Sequence, residues 1–200
     1  MFKKYWKFFV IFWSVVLVGI IGVFVFFWLI SAGKLGFMPT FEELENPNNR
    51  FASEVYFADG PIMNRYFEKE NRKYIEYREI PQSVIDALIA TEDVRFYDHS
   101  GVDVRGLFRV AKGLLTANTS AGGGSTISQQ LAKMLFPRES DLNVFELAIR
   151  KFREWVIAVR LEKSYTKEEI LTMYLNKYDF LNLAVGISSA ADIYFRNLRI

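Results

Sequence analysis

Residues 8–30 carry no charged side chain, and only Ser14, Gly19 and Gly22 interrupt the apolar run of 23 residues. As an α-helix this run is about 35 Å long, enough to cross a hydrocarbon core of about 30 Å with some tilt. The apolar region of a cleaved signal peptide spans only about 7–15 residues, so residues 8–30 read as an uncleaved transmembrane signal-anchor. Lys3, Lys4 and Lys7 precede the run, and only Lys34 follows it closely. By the positive-inside rule residues 1–7 form a cytoplasmic tail and the rest of the chain lies outside. Tyr5, Trp6 and Trp28 stand where interfacial aromatic side chains belong.

After the anchor, residues 31–80 read as a linker and β-hairpin region. Pro39, Pro47 and the asparagines around position 48 mark the linker. Strands are expected at 53–57 and 62–67, joined through Asp59-Gly60-Pro61, with a further strand at 74–80. From Pro81 the period changes. Val84, Ile85, Leu88, Ile89 and Glu92 recur at helical spacing, and further helices are expected at 104–118, 125–136, 143–163, 167–177 and 184–195. The fold class is therefore mainly α. A net charge of +2 without an accompanying signature gives no reason to expect nucleic acid. The absence of cysteine removes disulfides, thiol catalysis and Cys-based zinc sites, and a single histidine, His99, removes multi-His metal sites.

Two patterns suggest chemistry. The first is Gly122-Gly123-Gly124, which immediately precedes a helix. Glycines permit positive φ, and the unpaired N–H groups of a helix N-terminus attract anions, so an anion site is expected there. Ser125, Gln129 and Lys133 fall on one face of that helix, with Ile127, Leu131 and Leu135 roughly opposite. No Gly-x-x-x-x-Gly-Lys-[Ser/Thr] order is present, which argues against a nucleotide. The second pattern is a carboxylate on an apolar stripe. Glu92 shares a stripe with Ile85 and Leu88, so it is expected on the packed or cleft side, where burial raises a carboxylate's pKa. Glu154 lies on the stripe of Leu147, Ala158 and Leu161, beside Lys151 and within i,i+4 reach of Arg150. Asp93, Asp98, Asp103 and His99 are expected to make local hydrogen bonds, with Asp103 capping the next helix.

The segments Glu92-Asp93-x-x-Phe96-x-x-His99-x-Gly101-x-Asp103, Gly124-Ser125-Thr126-Ile127-Ser128-Gln129-Gln130-x-x-Lys133 and Arg150-Lys151-x-x-Glu154 resemble the first three motifs of peptidoglycan glycosyltransferases. Those are the glycan-polymerising domains of class A penicillin-binding proteins and of monofunctional transglycosylases. Lys167-x-x-Ile170-Leu171-x-x-Tyr174-Leu175-Asn176 and Gly186-Ile187-x-x-Ala190-Ala191-x-x-Tyr194-Phe195 resemble the fourth and fifth.

The resemblance implies a lysozyme-like, two-lobed helical domain over residues 81–200 that polymerises lipid II at the bacterial inner membrane. Glu92 would be the general base on the acceptor's 4-hydroxyl, which attacks C1 of the growing glycan chain with inversion as undecaprenyl pyrophosphate leaves. Glu154, with Lys151 and Arg150, would hold the donor's pyrophosphate region, directly or through a metal. Ser125, Thr126, Gln129, Gln130 and Lys133 would line the same cleft, with Lys133 offsetting leaving-group charge. No cofactor is required, although some family members are stimulated by divalent cations, Mg²⁺ or Mn²⁺. Other cell-wall synthesis proteins are expected partners. Met134 stands where the family usually has Asn, and Leu181 and Leu183 where glycines are common. The chain stops at Ile200, short of a further helical portion found in the family, so the domain is expected to be C-terminally incomplete. Two rival readings stay open: a lysozyme-like glycoside hydrolase, and an inactive membrane-anchored lipid II-binding or scaffold protein.

Overall fold

In the computed structural model, which describes residues 2–40, 53–56, 62–66, 71–116, 123–136 and 143–195, the apolar run forms one unbroken helix, α1 (Phe2–Ser31). Its stretch Tyr5–Ser31 is long and apolar enough to cross a membrane. Most of its large side chains, Phe8, Ile11, Val18 and Phe24 among them, are left uncovered by protein. An apolar surface of that extent is stable against lipid and not against water.

Only the C-terminal end of α1 is covered. Ile30 is buried, and Phe26 and Phe27 pack edge-on against Phe152 at 5.3 and 5.7 Å. Arg160 closes the joint, donating to the carbonyl and hydroxyl of Ser31 at 2.8 Å each and to the carbonyl of Pro39 at 2.9 Å. Burial pushes the Arg160 guanidinium pKa below its ordinary value. The segment just after α1 is therefore held on the domain, with Pro39 buried; residues 41–52 of the expected linker lie outside the described residues.

Strands β1 (Ser53–Tyr56) and β2 (Ile62–Tyr66) pair antiparallel, Ser53 opposite Tyr66, with a register shift between Val55 and Tyr56. The expected turn Asp59-Gly60-Pro61 lies outside the described residues. Strand β3 (Asn71–Arg72) pairs in parallel with β4 (Ala184–Val185). The strand expected at 74–80 does not form. Its backbone bonds go to a side chain instead: Asn176 accepts from the Ile75 N–H at 2.9 Å and donates to the Ile75 carbonyl at 2.8 Å. Tyr77–Glu79 then makes a 3₁₀ turn.

The helices follow in order: α2 (Gln82–Glu92), α3 (Val104–Leu115), α4 (Ile127–Leu135), α5 (Val144–Ser164), α6 (Lys167–Lys177) and α7 (Ile187–Phe195). Their starts are chemically explicit. Asn143 with Glu146 opens α5, and Thr166 with Glu169 opens α6, each as a reciprocal capping box that satisfies two orphan amides. The helix expected from 184 begins at Ile187, because Ala184 and Val185 are used in β4. Helix α4 packs against both α5 and α6. Ile127 and Leu131 of α4 meet Ile157 and Leu161 of α5 and Ile170 and Leu171 of α6 in the core.

Candidate active site

Glu92 is the last residue of α2, and it is exposed. Of the packed or cleft side expected for it, Glu92 takes the cleft, and the burial expected there is corrected. Ile85 on its stripe is 1% exposed, but the stripe rises out of the core by the final turn. Glu92 Oε2 accepts a hydrogen bond from Gln130 Nε2 at 2.7 Å, and Gln130 Oε1 accepts from the Tyr174 hydroxyl at 3.0 Å. Burial, the charge of Glu92 and the neighbouring Tyr178 all push the Tyr174 hydroxyl pKa well above its ordinary value.

The buried carboxylate here is the next residue. Asp93 Oδ2 accepts the Ile127 N–H at 3.1 Å and lies 3.0 Å from His99 Nε2. His99 Nδ1 accepts the Gly101 N–H at 3.3 Å, which leaves the ring proton on Nε2, donated to Asp93. This changes the meaning of the glycine-rich segment. Gln129 N–H is taken by the Thr126 hydroxyl at 3.2 Å and Gln130 N–H by the Thr126 carbonyl at 3.0 Å. An internal carboxylate and a cap therefore fill the helix end where an anion was expected. Neither Gly123 nor Gly124 has positive φ. A Cβ on Gly124 would meet Val110 at 3.3 Å, so its smallness serves packing. Gly122 lies outside the described residues.

Two expected cleft residues turn inward. Thr126 is buried and donates to the Gly101 carbonyl at 2.7 Å, and Gln129, fully buried, donates to the same carbonyl at 3.2 Å. Ser125 precedes α4, so the polar face shared by Ser125, Gln129 and Lys133 does not exist as a helical face; the loop around Gly101 covers Gln129.

Ser125, Lys133, Lys151 and Glu154 do converge. Glu154 is buried on α5, and its Oε2 accepts from Lys151 Nζ at 3.0 Å and lies 3.8 Å from Lys133 Nζ. Lys151 Nζ also donates to Ser125 Oγ at 2.8 Å. Arg150, half-buried, is not among the partners of Glu154. Two ammonium groups against one carboxylate leave this cluster net positive. Among the described residues no three His, Asp or Glu side chains converge. A lone carboxylate between two lysines is a poor fit for a divalent cation, which prefers several oxygen donors and would be repelled by the lysines.

One cleft runs past Glu92 and reaches the lysine cluster at Ser125. Its wall runs from Thr91 through Arg95, along Gly123 to Thr126, and across to Asp103, Gly106 and Arg109 of the α3 region. Asp103 caps α3 through the Gly106 N–H at 3.0 Å and pairs with Arg95 at 2.5 Å. Burial pushes the Asp103 pKa up, but the Arg95 and Gly106 hydrogen bonds and the Arg95 charge outweigh it and hold the carboxyl below its usual range. Two residues were missed from the sequence. Arg109 is an exposed cation on the cleft wall, 3.4 Å from the Gly123 carbonyl. Its i,i+3 spacing from Gly106, a position with no side chain to block the cleft, is the signal that marks it. Tyr174, which the sequence marks only as part of the fourth motif and not as a site residue, is the other; its link to Gln130 spans 44 positions.

Residues 59–198 match the family described as Transglycosylase. The chain is similar to penicillin-binding protein 1A of Escherichia coli (strain K12), 39% identical over 158 residues, which is 79% of this chain and 18% of that protein. It is 38% identical over 158 residues to penicillin-binding protein 1A of Pseudomonas aeruginosa, 79% of this chain and 18% of that one. To penicillin-binding protein 1A of Neisseria gonorrhoeae it is 36% identical over 163 residues, 81% of this chain and 20% of that one. The chain thus matches only 18–20% of the length of these relatives.

Proposed function

Because the chain belongs to the transglycosylase family, we propose that it is a peptidoglycan glycosyltransferase that polymerises lipid II into glycan strands. The observation that carries this reading is an exposed, amide-held Glu92 on the wall of a cleft that also holds Ser125, the residue through which the net-positive Lys151–Glu154–Lys133 cluster is joined to it. Glu92 takes the proton of the acceptor's 4-hydroxyl, the freed oxygen bonds to C1 of the donor with inversion, and the C1–O bond to undecaprenyl pyrophosphate breaks. Lys133 and Lys151 act where negative charge develops on the leaving group, and Arg150 and Arg109 add positive charge nearby. Glu154 holds Lys151 in place. The lysines supply the charge stabilisation that a metal would otherwise provide, so no resident cofactor is invoked; a divalent cation that stimulates turnover would enter with the pyrophosphate.

The fold proposed is the lysozyme-like two-lobed arrangement, anchored by α1 in the bacterial inner membrane with the N-terminus cytoplasmic. The joint between α1 and α5 supports this, since α5 carries Glu154 as well as Phe152 and Arg160. A glycoside hydrolase needs a second carboxylate free for water or sugar. Glu154, held between two lysines, favours the transferase.

The test is lipid II polymerisation by the detergent-solubilised chain, with Glu92→Gln as control. Loss of a general base should slow polymer formation by about 10²-fold or more. Cleavage of pre-formed glycan would turn the reading to the hydrolase, and lipid II binding without turnover to the scaffold.

A further inference from the structure

We infer that Tyr174 is a positioning residue for the Glu92 base, acting through Gln130; the inference rests on the reading of Glu92 given above. A carboxylate can only accept hydrogen bonds, so the Gln130 nitrogen faces Glu92 and the Gln130 oxygen needs a donor on its other side. Tyr174 is that donor, at 3.0 Å. Its ring is 2% exposed and stacks on Tyr178 at 5.4 Å, so the hydroxyl oxygen is fixed by packing. The raised pKa keeps the hydroxyl protonated, and therefore a donor, throughout the neutral range.

The consequence is geometric. The terminal torsion of a glutamine is broad and roughly two-fold, so an amide held at one end only can swing or turn over. Held at both ends, Gln130 occupies Oε2 of Glu92, which leaves Oε1 as the oxygen to take the acceptor's proton, a task that needs the base within about 3 Å of the hydroxyl. Tyr174 touches no substrate in this scheme.

Tyr174→Phe keeps the ring and its packing and removes only the hydroxyl. We expect kcat to fall about 10-fold, in line with one lost oriented hydrogen bond, with KM for lipid II within about twofold. In a Gln130→Met background the same substitution should cost less than about twofold more, because its route to Glu92 is already cut. Additive losses in the double variant, or a change confined to KM, would overturn the inference. An activity-independent readout is the Gln130 side-chain amide, labelled with ¹⁵N and assigned through Gln130→Met. One amide proton should be displaced downfield by Glu92, lose that displacement in Glu92→Ala, and become averaged in Tyr174→Phe. An unchanged signal in Tyr174→Phe overturns the inference even in a preparation that turns over slowly. The two readings separate cleanly: if Glu92→Gln still polymerises, the base assignment falls, whereas if Glu92→Gln is dead and Tyr174→Phe runs at the parent rate, only the role of Tyr174 falls.

Discussion

Gly101→Ala should be among the most damaging single-methyl changes in this chain. Gly101 has φ +93°, a conformation that costs an L-residue roughly 1–2 kcal/mol. A Cβ built there would stand 2.7 Å from the carbonyl carbon of Ala158 and 2.8 Å from both its oxygen and the nitrogen of Val159. Those are backbone atoms in the middle of α5 and cannot rotate aside, so the loop must move, at an overpacking cost of about 1–3 kcal/mol. The movement strikes further bonds, because the Gly101 carbonyl accepts from Thr126 and Gln129 and its N–H fixes His99. A total of about 2–5 kcal/mol corresponds to a fall of about 5–20 °C in Tm, measured by thermal unfolding in detergent micelles. Gly123→Ala is the internal control: its φ is not positive and its Cβ would meet nothing within 4 Å, so Tm should hold. A Gly101→Ala protein that melts with the parent would refute the claim that this loop is locked against α5.

Leu181, Asn182 and Leu183 have φ of +69°, +50° and +65°, so Leu181→Gly and Leu183→Gly should each leave stability unchanged or raise it by up to about 1 kcal/mol, read in the same melts. The Asp103 pKa is lowered in the folded state, so its contribution is present above the unfolded carboxylate value near 4 and is lost as pH falls through the folded one. The Tm gap between the parent and Asp103→Asn should therefore close on acidification from about pH 5 towards pH 3. Lys151→Met leaves Glu154 with Lys133 at 3.8 Å and frees Ser125, and should slow lipid II turnover about 10-fold or more while lowering Tm by a few degrees. Arg160→Met removes three bonds from the joint after α1 and should hasten proteolytic cutting within residues 31–40 without changing the melt of the remaining domain by more than about 1 kcal/mol.

Local chemistry explains which features could be read in advance. Helices α5 and α6 begin within a residue of expectation because Asn143, Glu146, Thr166 and Glu169 spell out their own caps. The Glu154–Lys151 pair was equally visible, being three residues apart on one helix. Bonds between distant positions were not. The alternation at 74–80 looks like a strand because period-two patterning does not say what will accept the backbone hydrogen bonds; Asn176, 101 positions from Ile75, supplies them. Gln129 looked like a cleft residue for a similar reason, since nothing near it announces that the loop at Gly101 will close over it.

The adjacent carboxylates Glu92 and Asp93 show how a helix end divides labour that composition cannot. Both sit at the point where α2 stops, and the change of direction there sends one side chain into solvent and the other into the interior. Asp93, once inside, needs partners, and the Ile127 N–H and His99 provide them. It thereby uses up part of the positive end of α4, which by sequence alone is the obvious anion site. In the proposed reaction the leaving group's charge is then met by side chains, and Lys133, Lys151, Arg150 and Arg109 are the cations proposed for it. Side-chain cations differ from helix amides in that each can move with the substrate and each needs an anchor when it is absent. Glu154 and Ser125 serve as those anchors for Lys151. Within the proposed transferase reading, the buried acid on α5 is thus a holder of cations rather than a second catalytic carboxylate, and Glu92 is the proposed acid–base group of this cleft.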